Sequence, residues 1–165
     1  MSARRLILAG AALAALFACS DPVHDAEVAA LGPEDPATPP GPLHRPDQPC
    51  LVCHGDLGPA RTRFAVGGTI HQSDLTTPAS GATVTLNDAA QNQVQATTND
   101  AGNFYVLYTD WQPVFPITPI TVVGNDPNNP ATMVTHIGRD GSCGSCHFGS
   151  QSSASSPGPI YETSP

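Results

Sequence analysis

The chain has 165 residues, of which 18 are Pro and 15 Gly, with 5 % aromatic and 12 % charged residues. That composition argues against a helical bundle or a large buried core and suits a small β-domain with unstructured flanks. The formal net charge is −8 and there is no lysine, so nucleic acid, whose phosphates need a basic surface, is not an expected partner.

Arg4 and Arg5 precede an apolar run from Leu6 to Phe17. The run has the length of a signal-peptide core and is too short to span a bilayer. It ends Leu16-Phe17-Ala18-Cys19, which resembles a bacterial lipobox. The resemblance implies that residues 1–18 are a lipoprotein signal peptide and that Cys19 becomes the lipidated first residue. The alternative is an ordinary secretory signal with a chance cysteine at its end. Several acyl chains would anchor the protein firmly to a membrane. Ser20, in the place where enterobacterial sorting reads Asp, points by the same resemblance to the outer membrane, on its periplasmic or surface face. Residues 19–49 carry eight prolines and scattered acids, and they read as an acidic tether.

Residues 50–148 form the folded part, with a core over 62–138. Short β-prone runs alternate there with turn signals and predict strands at 64–71, 82–87, 93–98, 103–108, 117–124 and 131–137. Ala82, Val84 and Leu86 fall on one face and Thr83 and Thr85 on the other, the pattern of a half-buried strand. Pro119 has no N–H for a ladder and belongs at an edge or bulge. The expected fold is all-β: a small antiparallel sandwich of six to seven strands, with an irregular Pro-rich N-terminal tether and a loose Ser/Pro-rich tail over 149–165. An even strand count would return the chain to the end it left and set residues 50–54 near 143–147.

Three features of residues 64–124 resemble the carboxypeptidase regulatory-like domain, a transthyretin-like sandwich close to the collagen-adhesin B-type repeat. They are Gly68-Thr69-Ile70, the approach from Pro78 to Val84, and Asn99-Asp100-Ala101-Gly102-Asn103-Phe104. The resemblance implies a spacer or binding scaffold and assigns no activity. The Lys–Asn isopeptide bond of some relatives is excluded, because the chain has no Lys.

Cys50-Leu51-Val52-Cys53-His54 and Cys143-Gly144-Ser145-Cys146-His147 are both C-x-x-C-H, the attachment sequence of c-type haem. Two thiols at this spacing meet the two vinyl groups on one porphyrin edge, and the adjacent His reaches the iron. Cys50, Cys53, Cys143 and Cys146 are therefore candidate attachment residues for two covalent haems, with His54 and His147 as proximal ligands. The competing chemistries are a Cys₄ zinc site and disulfides, and neither needs a His after each second Cys. His44 and His136, six and seven residues before the motifs, are candidate distal ligands. His71 reads as a surface residue. Arg45, Arg61, Arg63 and Arg139 are candidate propionate partners or solvated side chains. His24-Asp25-Ala26-Glu27 matches an H-x-x-E metal pair, but it lies in the tether with no enclosed pocket implied. The expected function is electron transfer to other redox proteins of the cell envelope, without substrate chemistry and hence without catalytic residues. The alternative is a non-redox binding or spacer domain whose C-x-x-C pairs form disulfides or hold zinc.

Overall fold

The computed structural model describes residues 21–38 and 40–163. The Cys19 assignment lies outside the described residues. Among the described residues seven strands form two sheets: β1 (Phe64–His71), β2 (Thr83–Asn87), β3 (Gln93–Thr97), β4 (Asn103–Leu107), β5 (Ile120–Val123), β6 (Ala131–Thr132) and β7 (Ile160–Tyr161). One sheet has the order β4-β1-β7 and the other β3-β2-β5-β6. The protein is thus a small all-β fold of two facing sheets. Two short helices precede them, α1 (Pro22–Ala30) and α2 (Cys50–His54).

The core follows the period of two that strands impose. Val84 and Leu86 of β2 are buried between half-buried neighbours. Val66 and Ile70 of β1, Phe104 and Val106 of β4, and Ile120 and Val122 of β5 meet them, with Ile117 completing the cluster. The β2–β3 hairpin pairs Thr83 with Thr97 through Asn87 with Gln93. Its turn is closed by the Asp88 carboxylate, which accepts the backbone N–H of Asn92.

Three strands and one helix differ from the sequence expectation. The fifth strand starts at Ile120, not at residue 117, because Pro119 cannot donate to a ladder; Thr118–Pro119 is cis, and Ile117 is left in an isolated bridge to Ile137. The sixth strand spans Ala131–Thr132 rather than 131–137, and Val134 beyond it is 98 % exposed. The seventh strand comes from the tail: Ile160 and Tyr161 pair parallel to Ile70 and His71. β4 pairs with only one edge of β1, and β7 satisfies the other. Within the segment read as a tether, Pro22–Ala30 is helical. Asp21 caps it by accepting the N–H groups of Val23 and His24, and a proline stands in its first turn.

β1 positions everything that follows. Seven of its eight residues are buried. Its Val66 and Ile70 face the core, while Gly67, Thr69 and His71 alternate onto the opposite face; Ala65, at the register shift between Phe64 and Val66, also belongs to the core cluster. That second face is covered by the segment carrying the first cysteine motif, and the segment leading to the second runs along the edge of β1 in a bridge between Ser142 and Gly67. Gly141 lies against the Ala65 backbone, the Cys50 side chain against Gly67, and the Asp47 N–H donates to Thr69 Oγ1 at 2.8 Å.

Candidate functional site

The first motif is the whole of α2. Pro49 precedes it, and the Gly55 N–H closes it on the Leu51 carbonyl at 2.8 Å. A single helical turn puts residues i, i+3 and i+4 on one side, so Cys50, Cys53 and His54 share a face. The second motif forms a 3₁₀ turn over Cys143–Ser145, and the His147 N–H reaches back to the Cys143 carbonyl at 2.9 Å.

The two motifs lie side by side on β1. Ser142 Oγ accepts the Leu51 N–H at 3.3 Å. Gly144 packs on the Gln48–Pro49 backbone so closely that a β-carbon there would stand 2.7 Å from Gln48. Gly67 and Gly68 explain the fit. A β-carbon on Gly67 would stand 3.2 Å from Cys50 Cβ, and one on Gly68 only 2.6 Å from Cys143 Cβ. Consecutive strand residues face opposite ways, so the two motifs grip opposite sides of one Gly-Gly step. Cys143 thereby packs against the core beside Phe104, and Cys50 lies on the outer face.

Both motif histidines are oriented by the same device. His54 Nδ1 is 2.8 Å from the Thr62 carbonyl oxygen and His147 Nδ1 is 2.9 Å from that of Gly158. A carbonyl only accepts, so each Nδ1 donates, and each Nε2 makes no hydrogen bond with a described residue. Metal-bound histidines are commonly held this way. His44 repeats the arrangement, its Nδ1 bonded to the Gly41 carbonyl.

Around the first motif the structure gathers aromatic rings. His44 and His54 have ring centroids 5.9 Å apart at 29°. His54 stacks on Phe64 at 4.0 Å, and Phe64 on Tyr105 at 4.6 Å. Cys50, Cys53, His54, His44, Phe64 and Tyr105 line a niche of about 50 Å³. It is well below the several hundred Å³ of pockets that enclose a small molecule, so it is a recess in a face and encloses no macrocycle. The donor set itself fits a c-type haem, with thiols at i and i+3 and an imidazole at i+4 whose Nε2 is unspent.

Comparison with protein-family models, curated proteins and solved structures finds no match.

The four described cysteines are all free thiols. Burial pushes the Cys50 thiol up to about 11. Burial, and then the neighbouring Cys50, push that of Cys143 up to about 12. Among the described residues no group of three or more His, Cys, Asp or Glu side chains converges as a metal-ion site. None of their helices is long and apolar enough to cross a membrane.

The remaining sequence candidates separate. His136 is exposed next to the Ile117–Ile137 bridge, and its side chain makes no hydrogen bond, ion pair or ring contact with a described residue. Arg45 spends its guanidinium inside the fold, on the Leu31 and Gly32 carbonyls and on Gln48 Oε1. Arg63 pairs with Asp56 and lies 3.8 Å over the Tyr108 ring. Arg63 and Arg139 border a wider cavity of about 470 Å³ on the opposite side of α2, beside Leu51 and His24. His24 and Glu27 stand 3.7 Å apart on α1 without a third metal donor.

Sequence reasoning missed His71. It is 6 % exposed, and its Nε2 lies 2.6 Å from Asp47 Oδ1. Its place at a predicted strand end suggested a surface site. The 44–49 segment returns over β1 and meets it through Asp47, and no local pattern announces that return.

Proposed function

We propose that the protein is an exported, lipid-anchored dihaem c-type cytochrome that passes electrons between partners of the cell envelope and transforms no substrate. The observation that carries the proposal is the shared anchoring of His54 and His147: each has Nδ1 bonded to a backbone carbonyl and Nε2 free, next to its two motif thiols. A covalently held haem would supply a one-electron couple at each motif. Cys50 and Cys53 would hold the first and Cys143 and Cys146 the second. The side-by-side packing of the motifs favours exchange between two such centres.

His44 is the sixth ligand proposed for the first centre. His44 faces the same niche as the first motif, with its ring centroid 5.9 Å from that of His54 and its Nδ1 bonded to the Gly41 carbonyl. His136 has no comparable support. The sandwich serves as the rigid support, as its resemblance to carboxypeptidase regulatory-like domains implies, and Cys19 is the proposed site of attachment to the outer membrane.

The test is the intact mass and colour of the mature protein from a host with working haem-attachment machinery. Two haem additions that survive denaturing detergent are expected. A chain without haem and lighter by two or four hydrogen atoms would mean that the C-x-x-C pairs form disulfides, and a colourless chain carrying zinc would mean a Cys₄ site. Either result leaves a binding or spacer module. Cys19→Ala should separately abolish fatty-acid labelling.

A further inference from the structure

We infer that Asp47 and His71 form a clamp that positions the first motif, locking the segment 42–49 onto β1 so that His44 stays against His54. The inference rests on the reading of residues 50–54 as a haem-attachment site. Its mechanical part stands on hydrogen bonds alone.

Asp47 lies midway between His44 and Cys50, three residues from each. It is held to β1 twice. Its N–H donates to Thr69 Oγ1 at 2.8 Å, and its carboxylate accepts His71 Nε2–H at 2.6 Å. Thr69 and His71 are alternate residues of one strand, so both contacts come from the same face of β1. The network continues to the ligand-bearing residue. Thr69 Oγ1 donates to Asn103 Oδ1 at 2.8 Å, and Asn103 Nδ2 donates to the His44 carbonyl at 3.0 Å. His44 is thus tied by its own backbone to the strand pair that carries the clamp.

The segment needs such restraint. Arg45 has φ of 49° and Asp47 a φ of 64°, left-handed conformations that side-chain-bearing residues avoid unless their surroundings impose them. These two reversals turn His44 back over α2. His71 in turn is committed to Asp47. Its Nδ1 is buried without a hydrogen-bond partner, so the carboxylate is the only polar group the ring meets among the described residues. Backbone pairing fixes the strand end around it: the His71 carbonyl accepts the Glu162 N–H at 2.8 Å, with Tyr161 beside it in register. The half-exposed Asp47 supplies the movable jaw and the buried His71 the fixed one.

Two measurements on the full chain test the clamp. In the haem-free chain, from a host without attachment machinery, Asp47→Ala should speed hydrogen exchange over 42–49 by at least tenfold and leave β2 and β5 unchanged. Exchange at the wild-type rate, or equal acceleration across the whole sandwich, would overturn the inference. In the haem-loaded chain the same variant should convert the first centre from a low-spin to a high-spin spectrum, with added imidazole restoring it. His71→Leu should behave likewise, whereas His71→Gln, which keeps a donor near the Nε2 position, should stay close to wild type. His44→Ala should give the spectral change without faster exchange. A low-spin spectrum retained in Asp47→Ala alongside a loosened segment would also overturn the link to His44. If the wild-type chain takes up no haem, the cytochrome reading fails by itself, and the exchange experiment alone decides whether the clamp exists.

Discussion

The two C-x-x-C-H motifs have the same residues at the same spacing, yet the fold treats them differently. The first forms a helical turn on the outer face of β1, with His44, Phe64 and Tyr105 gathered around His54. The second forms a 3₁₀ turn whose half-buried Cys143 packs against the core beside Phe104, and His147 has no ring contact with a described residue. Anchoring separates them too. His54 is held by Thr62, eight residues away on the approach to β1. His147 is held by Gly158 in the tail, whose strand β7 is added to the sheet last in chain order. A motif thus defines what a group can be attached to, and the environment that would tune it comes from elsewhere in the chain. Under the proposed function, the first centre has a second imidazole within reach and the second does not.

The largest break in this comparison should come from deleting residues 149–165. The cut removes β7, the buried Glu162 and the Gly158 carbonyl that orients His147. Loss of the partly buried Ile160 and of the β1 edge pairing should cost on the order of 3 kcal/mol, read by chemical denaturation. The second motif should lose its haem occupancy while the first keeps its own. Equal loss at both motifs would show that the tail supports the whole sandwich instead of one histidine.

Next in size are the two glycines between the motifs. Gly68→Ala places a methyl 2.6 Å from Cys143 Cβ, a backbone-proximal atom that cannot swing away. It should destabilise by about 1–3 kcal/mol and disturb the second motif first. Gly67→Ala meets Cys50 at 3.2 Å and should cost less than about 1 kcal/mol. Thermal unfolding of the pair checks the order, and a larger effect at Gly67 would contradict the packing described.

His44→Ala sharpens the comparison at the ligand level. It should turn the first centre high-spin and raise its reduction potential, leaving the second unchanged, whereas His136→Ala should alter neither. Spectra and a redox titration of both variants would decide, and a spectral change in His136→Ala would move the sixth ligand to the other motif.

The smallest effect concerns the thiols of the haem-free chain. Cys50 and Cys143 ionise only near 11 and 12 because burial disfavours the thiolate. At pH 8.5 they should alkylate slowly, while the exposed Cys146 reacts quickly. The linkage has a definite sign. A thiol that ionises near 9 when unfolded and higher when folded adds stability in full below about pH 9, and that contribution is lost as pH rises through about 11 to 12. A denaturation series from pH 8 to 11 on the haem-free chain should show stability falling at the alkaline end.

Much of the fold was legible because β-strands write their burial into an alternation. β1 and the β2–β3 hairpin stand where the periodicity and turn residues put them, Ala82 to Leu86 facing as expected. The short strands were not. Pro119 trimmed β5 at its start, and β7 has two residues whose only reason to pair is a vacant edge on β1. The C-x-x-C-H spacings were legible as a pattern of thiols and imidazole at fixed offsets along the chain, and the attachment chemistry proposed for them rests on that pattern. The sequence by itself therefore determined the class of fold and the places of the two C-x-x-C-H motifs along the chain. Tertiary structure alone decided that the motifs share one Gly-Gly step, that His44 reaches His54, that a tail carbonyl holds His147, and that Asp47 meets His71. Each of these joins residues far apart along the chain or brought together by backbone reversals. Their partners are chosen by how segments cross β1, and a local pattern carries no information about which segment will arrive from a distance.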